Sequence, residues 1–126
     1  MFALIDDVES YPEFLPWCPR TQVLGRTAEA TRARLDIDYH GLQSHIETLN
    51  HKHPPDSMAL EFVDGPFQEF SGAWTFSPLG EGGCRVELAL EYAFSNRVLE
   101  ATLGPVFGHI METLVDRFVA RAEARG

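Results

Sequence analysis

Five histidines and two cysteines are the side chains that could hold a metal or attack a substrate. His51 and His53 stand two apart in a segment that reads as a strand, so they share a face and could chelate an ion. No third ligand is fixed by spacing, and no metal is expected. His40 and His45 flank a turn and are expected in solvent, and His109 is expected as a partly exposed helix residue. Cys18 and Cys84 lie in separate segments without a C-x-x-C pair, and read as two small buried thiols in a reducing compartment. The sequence has no G-x-S-x-G, no P-loop and no Cys-His pair at a known spacing. Asp36, Asp38, Glu87 and Glu91 alternate outward as a solvated face. With no inward acid–base pair to name, the chain is not expected to be an enzyme.

What remains for chemistry is apolar. Tyr39, Phe62, Phe70, Trp74, Leu88, Tyr92, Phe107 and Met111 fall on inward positions of the predicted elements. Periodicity allows two outcomes for them, an ordinary packed core or the flat walls of a ligand cavity. Ser44, Thr48 and Asn50 share the parity of Ile46, which again allows two outcomes. They are polar groups inside an apolar cavity, or they belong to a polar strand near solvent.

The elements that must position these residues follow from pattern. Residues 1–8 read as a short helix, stopped by Ser10-Tyr11-Pro12 and followed by a turn-like Glu13-Phe14-Leu15-Pro16. Extended chain from Trp17 to Arg26 leads through Thr27-Ala28-Glu29-Ala30, a hairpin connection, into a clear alternation over 32–40. Further strands are predicted over 43–53, 58–63, 67–77 and 84–94, punctuated by Pro54-Pro55, by Asp64-Gly65-Pro66 and by the Gly80–Gly83 turn. From Asn96 to Arg125 apolar residues recur at helical spacing, with Gly104-Pro105 predicting a kink in the first third. Glu100 lies early, and Arg117, Arg121 and Arg125 lie late, as the helix dipole favours. The prediction is an α+β fold, about six antiparallel strands curving around a long C-terminal helix, as one domain over residues 1–126. A twisted sheet curls away from such a helix at one end and leaves a gap.

Ten Lys and Arg against nineteen Asp and Glu give a net charge of −9, which disfavours DNA. No apolar run reaches the ~18 residues of a membrane span, and Met1 is followed by Phe2-Ala3-Leu4-Ile5-Asp6-Asp7 without the basic start of a signal peptide. The expectation is a cytoplasmic protein, able to touch the inner membrane face transiently through a small apolar patch.

Val8-Glu9-Ser10-Tyr11-Pro12-Glu13-Phe14-Leu15-Pro16-Trp17-Cys18, Phe62-Val63-Asp64-Gly65-Pro66-Phe67, Gly72-Ala73-Trp74-Thr75-Phe76 and Phe94-Ser95-Asn96 occur in this order along nearly the whole chain. In these segments the sequence resembles the coenzyme Q-binding protein family, which also contains the bacterial ribosome-association toxins. That family belongs to the helix-grip superfamily of START-like lipid-transfer domains and polyketide cyclases. The resemblance implies a START-like fold and a non-enzymatic domain that holds ubiquinone or a similar lipid, as ligand and not as cofactor, in support of respiratory electron transport. It favours the cavity outcome for the inward aromatic set, with Phe14, Leu15, Trp17, Gly65, Pro66 and Phe67 as an apolar rim. Two other activities of the group are alternatives: binding the large ribosomal subunit to block subunit joining, and cyclisation of a polyketide. The family's sheet begins with a strand before the first helix, whereas this sequence opens directly in that helix. The first strand is therefore expected to be missing, leaving two open sheet edges that invite homo-oligomers.

Overall fold

The computed structural model describes residues 1–80 and 83–124. A short helix α1 (Phe2–Asp6) and a 3-10 turn (Val8–Glu13) precede six strands. These are β1 (Thr21–Arg26), β2 (Ala30–Tyr39), β3 (Leu42–His53), β4 (Ser57–Asp64), β5 (Phe67–Pro78) and β6 (Cys84–Phe94), and helix α2 (Arg97–Ala124) ends the chain. The strands form one antiparallel, curved sheet in sequence order, so β1 and β6 are its edges among the described residues. The α+β architecture read from the pattern is the one present. Glu81, Gly82 and Arg125, named above in a turn and a helix end, lie outside the described residues.

Alternation in β2 sets the two faces. Thr31, Ala33 and Ile37 are buried on one side, while the Arg32 and Arg34 guanidinium groups pair with Glu47 at 2.6 Å and Asp36 at 3.1 Å on the other. Register carries the inner face across the sheet: Ala33 lies opposite Thr48, Thr48 opposite Phe62, Leu60 opposite Gly72, and Gly72 opposite Leu90. Thr48 and Asn50 are therefore inside, both buried, and the Thr48 hydroxyl donates to Asn50 Oδ1 at 2.7 Å. Of the two outcomes open for this strand, the inward one holds for these two residues. Ser44, opposite Ile37 near the end of the hairpin, is only half-buried.

Helix α2 starts at Asn96, whose Oδ1 accepts the Leu99 N–H at 2.9 Å as an N-cap. Leu103, Val106, Phe107, Ile110 and Phe118 form its buried stripe. Burial of each such side chain contributes about 1.5–3 kcal/mol. The helix runs without interruption through Gly104-Pro105. Proline leaves the carbonyl of Ala101 without its usual donor, and Ala101 is exposed, so water can replace it.

The N-terminal segment closes one end of the core. Leu4, Ile5, Val8 and Tyr11 are buried, and the Tyr11 hydroxyl donates to the Ile5 carbonyl. Asp6 ties α1 to the sheet, accepting from Lys52 Nζ and Thr31 Oγ1, each at 2.8 Å. Lys52 follows Asn50 on the inward face, and its side chain is only 7% exposed. Cys18 is buried as expected, but Cys84 is exposed. Cys84 has inward parity with Val86, yet it stands at the very start of β6 beside the hairpin, beyond the part of the sheet that the core covers.

Candidate ligand cavity

A cavity of about 110 Å³ lies between the inner face of the sheet and α2. Phe107, Ile110, Met111 and Leu114, spaced as one helical stripe, supply its helix wall. The sheet contributes Leu35 and Ile37 from β2, Ile46 and Thr48 from β3, Leu60 from β4 and Phe70 from β5. Leu88, Leu90 and Tyr92 come from β6, and Tyr11 and Trp17 close the remaining side. An engineered apolar cavity of about 150 Å³ admits benzene, so this smaller space takes at most a single small ring. Anything longer must pass out between the walls.

One wall of the cavity is shared with the surface at β6. Leu88, Leu90 and Met111 also border a surface depression beside Ser71, Gly72 and Glu91. These three half-buried side chains stand between the two spaces. Gly72 is required here: a Cβ on it would meet the Leu90 side chain and lie 2.7 Å from the Ala89 carbonyl oxygen. Its missing side chain is what lets Leu90 lie across the inner face.

Few polar groups reach the cavity, and their bonds are largely committed. Thr48 donates to Asn50, and Tyr11 donates to Ile5. Burial, then the nearby Asp6 carboxylate, pushes the Tyr11 phenol up, so it stays a neutral donor at physiological pH. Trp17 Nε1 is buried without a hydrogen-bond partner among the described residues. Next to it in sequence, burial pushes the Cys18 thiol up to about 12, leaving it a thiol and a poor nucleophile.

Five of the eight ligand residues expected from sequence line this cavity: Phe70, Leu88, Tyr92, Phe107 and Met111. The other three lie elsewhere. Trp74 stacks on Phe76 and meets Phe118 edge-on toward the opposite end of the sheet. Phe62 packs against Phe67 and Phe70, and Tyr39 packs against His109 at the tip of the β2–β3 hairpin. Parity identified their face but not their position along the cavity. Leu35, Ile46, Leu60 and Leu90 were missed although the same parity, carried across strands, points to them.

The residues expected as a rim take different positions. Leu15, Trp17 and Phe67 are buried. Trp17 is part of the cavity wall, and Phe67 is the hub of an aromatic cluster with Phe62, Phe70, Tyr92, Phe94 and Phe107. Phe14 is half-buried under Arg121, whose guanidinium lies 5.3 Å from the ring centre, and meets Tyr11 and Phe118 edge-on. Gly65 and Pro66 are half-buried and hold a turn in place: Gly65 has φ +151°, with the His45 carbonyl 3.2 Å from where a Cβ would sit, and the Ser95 N–H donates to the Pro66 carbonyl at 2.9 Å. That tie fixes the junction into α2.

The histidines stand apart from the cavity walls. His45 Nε2 meets Asp64 at 2.8 Å and His51 Nε2 meets Glu61 at 2.9 Å, each a pair on the outer face. His45 holds the Asp64 carboxyl below its usual range.

The fold and sequence have known counterparts. Ribosome association toxins RatA of Vibrio cholerae and of Pseudomonas aeruginosa are 39% identical over 98% of this chain and 85% of theirs. The mitochondrial coenzyme Q-binding protein of Schizosaccharomyces pombe is 24% identical over 99% of this chain and 79% of its own. Among solved structures, the Zhui aromatase/cyclase from Streptomyces sp. R1128 superposes with a TM-score of 0.87 at 16% identity, over 98% of this chain and 85% of that one. A START superfamily protein from Mycobacterium smegmatis superposes with a TM-score of 0.79 at 19% identity, over 99% and 88%. At these identities the two structures speak for the fold alone. Residues 1–119 match the model of the polyketide cyclase / dehydrase and lipid transport family, and this chain belongs to that family.

Proposed function

We propose that this protein is a non-enzymatic binder of an apolar, ring-bearing lipid of the quinone class, held between the sheet and α2. The observation that carries the reading is the apolar cavity, walled by every strand from β2 to β6 and by a single stripe of α2. A ring-sized void with half-buried aliphatic side chains at one wall suits a molecule whose ring sits inside and whose chain leaves past Leu88, Leu90 and Met111. Each buried CH₂ contributes roughly 0.8 kcal/mol, so even a short stretch of chain gives useful affinity without polar contacts. The name of the coenzyme Q-binding relative supports ubiquinone as the first ligand to try.

A second reading is favoured by the relatives at 39% identity, whose names describe ribosome association. An acidic chain of net charge −9 is repelled by rRNA, so contact with a ribosome would go through basic ribosomal proteins. The two readings separate in one preparation. Protein purified from its own cells is extracted with organic solvent, and the extract is examined for quinone by absorbance and mass. Quinone in the extract, or uptake of added quinone, is expected. No lipid, no uptake and a shifted ribosome profile would replace the first reading with the second. Turnover of an aromatic polyketide would overturn the non-enzymatic part.

A further inference from the structure

The geometry points to Trp17 as the polar specificity group of the cavity: its indole N–H donates to an acceptor oxygen on the ligand, so the site selects carbonyl-bearing ring lipids over plain hydrocarbons. This rests on the reading that an apolar ligand occupies the cavity, and adds the chemical group that ligand must carry. Trp17 lines the cavity and is only 4% exposed, and no acceptor among the described residues meets its Nε1. A buried indole N–H is nearly always partnered, because leaving it bare forfeits its hydration with nothing in return. The two other buried hydroxyls on the walls are already spent as donors, Tyr11 on the Ile5 carbonyl and Thr48 on Asn50 Oδ1. Toward a ligand they offer lone pairs, and a carbonyl oxygen cannot use them.

Trp17 is also held firmly. The Asp38 N–H donates to the Trp17 carbonyl at 2.9 Å, and the Cys18 N–H donates to the Leu15 carbonyl at 3.0 Å, fixing the backbone on both sides of the indole. Leu15 and Cys18 are themselves buried, so the segment is anchored by its neighbours. A donor set in place before binding loses little freedom when the acceptor arrives. Tyr92 is the one further hydroxyl-bearing side chain on the described walls, and it is only half-buried.

The experiment compares decyl-1,4-benzoquinone with decylbenzene, two probes of matched ring and chain of which only the first has carbonyl oxygens. Wild-type protein is expected to bind the quinone about ten-fold or more tightly, the range of one buried hydrogen bond gained against one left unmade. Trp17→Phe should erase that preference while still binding decylbenzene, and Trp74→Phe, at a residue that lies off the cavity walls against Phe76 and Phe118, should keep it. Equal affinity of wild type for both probes, or a preference that survives Trp17→Phe, overturns the assignment while leaving the cavity reading intact. Failure of wild type to bind either probe overturns both. The test does not depend on the variant folding. In wild-type protein the indole N–H resonance of Trp17, distinguished from that of Trp74, should move downfield with the quinone and not with decylbenzene. A resonance unmoved by bound quinone contradicts the hydrogen bond.

Discussion

Glu9 and Arg26 show how a single pair in this protein answers to pH. Both Arg26 terminal nitrogens donate to the Glu9 carboxylate at 2.8 Å, and this bond, with a smaller share from a backbone N–H, holds the carboxyl at about 2. The folded value lies below the ordinary 4.5, so the pair's contribution is complete above 4.5 and is lost as pH falls from there through about 2. Glu9 is 55% exposed, so solvent and salt keep the energetic effect small even though the titration is displaced. In Arg26→Ala the Glu9 carboxyl should titrate near the ordinary carboxylate range when followed by NMR. A titration still near 2 would assign the shift to the backbone instead. Local sequence did not reveal this pair, because seventeen residues separate its members. The same blindness misplaced Cys84, where composition favours a buried thiol and position at a strand's first residue decides otherwise.

At the level of elements, the N-terminal segment is joined to the sheet by Lys52 with Asp6, a pair whose lysine side chain is only 7% exposed. Lys52 stands on the inward face of β3, where an unpaired ammonium would be costly, and Asp6 reaches it from the end of α1. Lys52→Met should therefore cost about 2–4 kcal/mol in urea denaturation, somewhat below the loss for a fully buried pair because Asp6 keeps Thr31 as a donor. Arg20→Ala, which removes an exposed partner of Asp36, should cost no more than about 1 kcal/mol. Equal effects would mean that the segment is held by its apolar contacts alone. The six strands, the long helix and the inner parity of β2, β5 and β6 were legible in the sequence, since period-2 and helical patterns there are long. The rim was not. Pro12, Pro16 and Pro19 break Val8–Arg20 into turns that local pattern assigns to the surface. Packing with α2, through Tyr11 and Phe14 on Phe118, brings the segment inside.

As a whole, the molecule sets an acidic outside around an apolar inside with a small void. Outward Asp36, Asp38, Glu87 and Glu91 contribute to the net charge of −9, and several of the paired carboxylates, such as Asp36 between Arg20 and Arg34, knit the outer face of the sheet. Inside, the aromatic cluster around Phe67 fills one end of the core, and the Phe118 contacts with Tyr11, Phe14 and Trp74 fill another. The void that remains lies between these packed ends, and a lipid binder needs such a space while a solid core does not. The most direct test is a crystal structure grown with 2-bromo-5-decyl-1,4-benzoquinone, with the bromine located by anomalous scattering. The account predicts a bromine peak enclosed by Ile46, Leu60 and Ile110, with the chain leaving beside Met111. A saturated crystal whose interior holds no bromine, or holds it only on the outer face of the sheet, would contradict it.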